Sequence, residues 1–237
     1  MRILTMLMAL MLGLLTVPGE ENSSLAKENG YVINLDRAEK LEKMTYSSLF
    51  SKAGIIVLED TDESLLGKVD KLEVCDNNLY VLEKGRGLFL FNKQGKFIKM
   101  IGRQGKGPGE YIDPDDISID RENKKIYVLD SQTQNVLKYS GNGTFESSFK
   151  LENKGTRSTF IQPFKNALYT NLYTFDKSGK RFLLSKVDVT NGKRISFQFE
   201  ASQYNKGWNE LFSTNQHTFI SGPTGNPKFM QIFMDTI

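Results

Sequence analysis

The chain has 237 residues, 39% of them hydrophobic and 25% charged, with 16 Phe and 9 Tyr. That length supports a substantial core, and the composition excludes a disordered chain. Thirty-one Lys and Arg against 28 Asp and Glu leave a net charge of +3, without the basic stripe that nucleic acid or an anionic membrane surface requires. One cysteine, Cys75, and one histidine, His217, exclude an intramolecular disulfide and a Cys/His zinc cluster, and no Gly-x-Ser-x-Gly elbow is present.

Met1-Arg2 precedes the almost uninterrupted apolar run Ile3–Val17. A charged start and a run of this length predict a signal peptide over 1–19, cleaved after Gly19 or Ala26, and hence export to the periplasm or cell surface. Loss of Arg2 would bring the charge to 30 − 28 = +2. The run is short for a transmembrane helix, so no stable membrane span is expected once the signal is removed; an uncleaved anchor is the alternative. No cysteine ends the run, so a lipid anchor is not supported. Residues 20–30 read as a flexible lead-in, Tyr31–Leu35 as a short strand, and Asp36–Phe50 as a helical turn or loop. Ile55–Leu58, apolar and β-branched, reads as a buried strand before the polar turn Glu59–Ser64.

From Lys68 the chain repeats itself. Strand-like runs at 71–74, 79–82, 88–91 and 97–101 recur at 117–120, 126–129, 136–139 and 145–149. Tyr80 and Tyr127 are 47 apart, while Phe91 and Tyr139, Gly95 and Gly143, and Phe97 and Phe145 are each 48 apart. A looser third copy uses 167–169, 182–189 and 195–199, with Gly192 in its turn. A fourth begins near Leu211-Phe212 and runs through Phe219-Ile220 to 229–234. Four short strands per unit, this period, and Gly-containing turns ahead of each last strand predict an all-β fold, a β-propeller of four-stranded antiparallel blades. The expected propeller domain covers 31–237, with blades at about 68–101, 117–150, 159–199 and 210–237.

The stretch Leu58–Gly67, the joint Phe97–Tyr111 with its Gly-Pro-Gly-Glu-Tyr, and Ile126-Tyr-Val-Leu-Asp130 carry a resemblance. The chain resembles the secreted six-bladed, NHL-repeat-like propellers of Bacteroidetes, over roughly Tyr31 to the end. The resemblance implies six blades, of which about three and a half are present, so the chain reads as truncated. It also implies that Tyr31–Leu35 and Ile55–Leu58 zip the ring shut against the last blade.

Gly102–Tyr111 links one blade to the next and is expected at the channel mouth. Its glycines bring backbone N–H groups together and Arg103 and Lys106 add charge, a combination suited to an anion. No Gly-Lys-Ser/Thr follows, so it is not a P-loop. The bland alternative is a rigid inter-blade turn, with Pro108-Gly109 setting the bend and Glu110 and Tyr111 bonding to a neighbouring blade. The basic tip Lys84-Gly85-Arg86-Gly87 would share this face, so that Arg86 and Arg103 frame one pocket. The candidate ligand-binding set is therefore Arg86, Arg103, Lys106, Gly107, Gly109, Glu110 and Tyr111. Asp113, Asp115, Asp116 and Asp120 are a carboxylate cluster of the kind that takes calcium, but without the spacing of an EF-hand loop they read as a solvated turn. Trp208 and Tyr204 read as packing aromatics, Cys75 as a buried inert thiol, and His217 as a surface or strand-end residue. No catalytic residue, metal ligand or cofactor is implied. The leading expectation is an exported, non-enzymatic binding or scaffold module whose face meets an anionic glycan, another ligand or a cell-envelope protein. A propeller lyase or hydrolase with its site at the channel mouth is the alternative.

Overall fold

The computed structural model describes residues 43–174, 181–201, 219–221 and 227–229. The predicted signal peptide and lead-in, the strand at Tyr31–Leu35, and Tyr204, Trp208, Leu211-Phe212, His217 and Met230–Met234 lie outside the described residues. The chain divides into two units, Met1–Ala53 and Gly54–Ile237. In the first, one helical turn, α1, spans Tyr46–Leu49. The second is almost entirely β.

The first blade is the antiparallel sheet β1 (Lys71–Cys75), β2 (Asn78–Glu83), β3 (Gly87–Asn92) and β4 (Phe97–Ile101), paired in that order. A connector with two short pieces, β5 (Arg103–Gln104) and β6 (Glu110–Tyr111), leads to the second blade. That blade is β7 (Pro114–Asp120), β8 (Lys125–Asp130), β9 (Asn135–Ser140) and β10 (Phe145–Lys150). After β11 (Thr156–Arg157), the third blade follows as β12 (Ile161–Phe164), β13 (Ala167–Asn171), β15 (Phe182–Val187) and β16 (Arg194–Glu200), with β14 (Tyr173–Thr174) pairing β11. Beyond it, β17 (Phe219–Ser221) and β18 (Pro227–Phe229) pair as a two-stranded antiparallel sheet. The fold is all-β and built of propeller-like blades. Beyond the expected strands, the structure adds β12 to the third blade.

The middle strands bury both faces, which is why β2 and β8 read as continuous apolar runs. Tyr80 and Leu82 of the first blade pack against Ile117, Val128 and Leu137 of the second. Tyr127 and Leu129, 47 residues on, do the same against Ile161, Leu168 and Val187 of the third. The repeat in sequence is thus a repeat of inter-blade contacts. The first strands of successive blades lie side by side and are tied by one carboxylate. Asp116, fully buried, accepts from Lys71 Nζ at 2.7 Å and from the Ile161 backbone N–H at 2.8 Å. These strands are therefore the innermost, and β4, β10 and β16 the outermost.

One expectation is corrected. Ile55–Leu58 is not a strand, and it is not buried: Ile55 is 93% and Val57 79% exposed. Among the described residues no strand pairs with it. It lies instead across the β3–β4 turn, where Glu59 N–H donates to Gly95 O at 2.7 Å and the Glu59 carboxylate accepts from Phe97 N–H at 2.8 Å. The third blade repeats this arrangement: Glu152 N–H donates to Gly192 O at 3.0 Å and its carboxylate accepts from Arg194 N–H at 3.3 Å. Residues 57–59 thus take, on the first blade, the place that residues 150–152, at and just past the end of β10, take on the third. Leu58 and Leu66 cover Leu79, Val81, Phe89 and Phe91 on that outer face.

Candidate ligand-binding face

The connector folds on itself. β5 and β6 pair in parallel, Arg103 opposite Glu110 and Gln104 opposite Tyr111, so residues 105–109 form a closed loop. Inside it sits the carboxylate of Glu110, accepting from Gly107 N–H at 2.8 Å and from Arg103 Nε at 2.6 Å. The Gly107 N–H, and then Arg103, hold this carboxyl below its ordinary range. A Cβ on Gly105 would stand 2.0 Å from Glu110 Oε2, and one on Gly107 3.1 Å from it. The glycines therefore make room for the loop's own carboxylate. The cradle expected to hold an external anion is filled by Glu110, which bonds within the connector and not to a neighbouring blade.

Tyr111 does reach back to the preceding blade. Its hydroxyl donates to Ile101 O at 3.0 Å and accepts from Leu88 N–H at 3.2 Å, and burial raises the phenol's pKa. Gly109, at φ 74°, presents its carbonyl to the Tyr139 hydroxyl at 3.0 Å, and a Cβ there would meet the Phe145 ring at 2.9 Å. The glycine loop accordingly lies over β9 and β10, the two outer strands of the second blade, and not over its innermost strand. Tyr111→Phe strips two buried backbone groups of their partner and should cost about 1–3 kcal/mol. A urea midpoint unchanged from wild type would mean that neither bond is made in solution.

The β2–β3 tip shares the connector's face, as expected. Gly85 N–H donates to Asp113 Oδ1 at 3.0 Å, Gln104 Nε2 donates to Gly85 O at 3.3 Å, and Lys84 pairs with Asp115 at 3.6 Å. Arg86 is held by Glu83 at 3.2 Å and by Leu65 O, with its guanidinium 5.2 Å from the Phe89 ring centroid. Arg86 and Arg103 are each engaged by their own carboxylate and are not brought into a shared pocket.

The aspartates expected as a solvated turn are structural ties. Asp113 holds the tip, Asp115 accepts from Ser131, Asp116 joins three blades, and Asp120 accepts from Asn123 N–H at 3.0 Å. Among the described residues no group of three or more His, Cys, Asp or Glu is placed to hold a metal ion. Cys75 is buried, with its pKa pushed up by burial.

What the face does contain is a groove of about 650 Å³ between the connector and the second blade. Its connector wall is Gly105–Pro108, Glu110 and Ile112; its blade wall includes Asp130, Thr133, Asn135, Phe145, Ser148 and Lys150. Phe145 opposes Tyr139, Ser148 opposes Leu137 and Lys150 opposes Asn135 in the β9–β10 register, so these residues share the face turned to the first blade. Lys106, Gly107 and Glu110 of the predicted set line this groove; Arg86, Arg103, Gly109 and Tyr111 do not. Lys150, Ser148 and Asn135 were not legible as site residues, because polar positions on an outer strand look like solvated surface.

A profile described as Domain of unknown function (DUF4934) matches residues 30–237. The chain belongs to the DUF4934 family. No curated protein matches this DUF4934 member. Among solved structures it is similar to a protein of Bacteroides fragilis described as exported, at 23% identity and a TM-score of 0.53, covering 69% of this chain and 44% of that one. It thus spans less than half the length of that protein. Weaker similarity links it to the glutaminyl cyclase of Myxococcus xanthus (12% identity, TM-score 0.43, 66% of this chain and 64% of that one) and to a DUF4221 protein of Bacteroides vulgatus (10%, 0.39, 51% and 38%). Among the described residues of the DUF4934 chain, no helix is long and apolar enough to cross a membrane.

Proposed function

We propose that the chain is part of an exported propeller that holds a ligand on its connector face without transforming it. The observation that carries this reading is how charge is disposed on that face. Glu110, Asp113, Asp115 and Asp130 each accept a backbone N–H, whereas Lys106 and Lys150 in the groove have no ion-pair partner among the described residues. A general acid or base needs a pKa drawn toward neutrality, and Glu110 is displaced the other way. Such a face is preorganised for binding. Export rests on the residue 1–19 pattern and draws support from the similarity to an exported protein. The six-bladed, NHL-like ring belongs to the same proposal. The half-exposed Leu72 and Val74, at 52% and 47%, with exposed Ile55, are the side of the first blade on which another blade would stack.

The test is to incubate the purified chain with polygalacturonate, chondroitin sulfate and neutral dextran, following retention in affinity gels alongside absorbance of unsaturated products and new reducing ends. Retention by at least one polymer with neither product supports the reading. Accumulation of products would replace it with the lyase or hydrolase alternative, and retention by none would remove it.

A further inference from the structure

The groove's composition specifies a ligand class, and this step rests on the binding reading above. Along β10, Phe145, Ser148 and Lys150 follow one another on a single face of the sheet: an aromatic ring, a hydroxyl and an ammonium. The connector sets Lys106 on the opposite wall. Asn135, beside Lys150 in the register, adds an amide with both donor and acceptor.

Two carboxylates also line the groove, and both are already satisfied. Glu110 is held by Gly107 N–H and Arg103, while Asp130 accepts from Ile112 N–H at 2.8 Å and Thr133 N–H at 3.1 Å. The groove is lined by two cations, Lys106 and Lys150, and these two carboxylates, and Arg103, outside the lining, neutralises Glu110. Neither lysine has an ion-pair partner among the described residues. The volume of about 650 Å³ lies within the range of small-ligand sites.

We infer that the groove between the 105–108 loop and strand β10 binds an acidic saccharide. Lys106 and Lys150 take its carboxylate or sulfate, Ser148 and Asn135 hydrogen-bond its hydroxyls, and Phe145 offers apolar surface to a ring face. The site is distinct from the channel mouth, because it stands on the outer strands of one blade. A purely cationic patch would bind any polyanion; the hydroxyl, amide and aromatic partners are what select a sugar.

The experiment titrates wild-type chain, Lys106→Ala, Lys150→Ala, the double variant and Lys124→Ala by calorimetry with trigalacturonate, using hexaglutamate as a charge-matched non-sugar. Lys124 is an exposed lysine paired with Asp76 at 3.2 Å, away from the groove. Each groove variant should weaken trigalacturonate binding about three- to tenfold and the pair about ten- to a hundredfold, with Lys124→Ala unchanged. Wild-type affinity should fall as salt rises. Circular dichroism of the same samples confirms that the exposed substitutions leave the fold intact. If wild type binds and the double variant binds equally well, the groove assignment fails while the binding reading stands. Equal affinity for hexaglutamate overturns the saccharide class. If wild type binds neither probe, the inference fails; the binding reading fails with it only if the polymers above are also not retained.

Discussion

Asp116→Ala is expected to destabilise the chain by about 3–5 kcal/mol, read from the urea midpoint. The carboxylate is fully buried on an innermost strand and accepts from Lys71 at 2.7 Å in the first blade and from the Ile161 N–H at 2.8 Å in the third. Removing it leaves the buried Ile161 N–H without this partner and the largely buried Lys71 ammonium with only the longer contact to Glu73, at 3.9 Å, and both carry a desolvation cost. Folded domains have a net stability of only about 5–15 kcal/mol, so a loss of this size is a large part of the whole. The damage should spread to both neighbouring blades, visible as faster amide exchange in β1 and β12 as well as β7. A loss under about 1 kcal/mol would show that the inner strands are not tied through this residue.

Gly192→Ala should be the other severe change, and Gly85→Ala is its internal control. Both glycines have positive φ, 75° and 82°, so an L-residue pays the left-handed penalty at each, about 1–2 kcal/mol. They differ in what a Cβ would meet. At Gly85 there is nothing within 4 Å, whereas at Gly192 the new atom would stand 2.0 Å from the Lys150 carbonyl oxygen, a backbone atom that cannot rotate away. Forcing the chains apart adds about 1–3 kcal/mol and breaks the Glu152–Gly192 bond between blades, so the expected total is about 2–5 kcal/mol. Equal losses at the two sites would show that the third blade's turn is not packed against the preceding connector.

These positions also show which parts of the molecule the sequence made legible. The strands of the first two blades could be placed because their apolar positions recur with the turns. A buried strand, a Gly-containing turn and an aromatic at the same offset describe one physical unit. Gly95, Gly143 and Gly192 stood out for the same reason, since each carries positive φ at the turn where the preceding chain crosses. Strand β12 was missed because Pro163 and Gln162 interrupt its apolar pattern. A proline is tolerated there because β12 is an edge of its sheet, paired only with β13.

The site was less legible than the fold. Glycines and cations in the connector promised an anion cradle, but the sequence did not reveal that Glu110 would fold back into it. That depends on the parallel pairing of β5 and β6, a contact that no periodicity encodes. Asp116 looked like one of several turn carboxylates, because the strand was expected to begin one residue later, at Ile117. Beginning it at Pro114 puts Asp116 inside an inner strand, where a buried charge requires partners. The polar groove residues of β10 gave no signal. Serine and lysine on an outer strand are ordinary surface until a loop from the neighbouring blade closes over them.

The most direct measurement is a crystal structure of the chain soaked with trigalacturonate. The account predicts sugar density between the 105–108 loop and β10, with the carboxylate within hydrogen-bond reach of Lys106 or Lys150 and the Glu110–Arg103 pair undisturbed. Density instead at the channel mouth over the inner strands, or a saccharide carboxylate displacing Glu110 from Gly107 and Arg103, would contradict it.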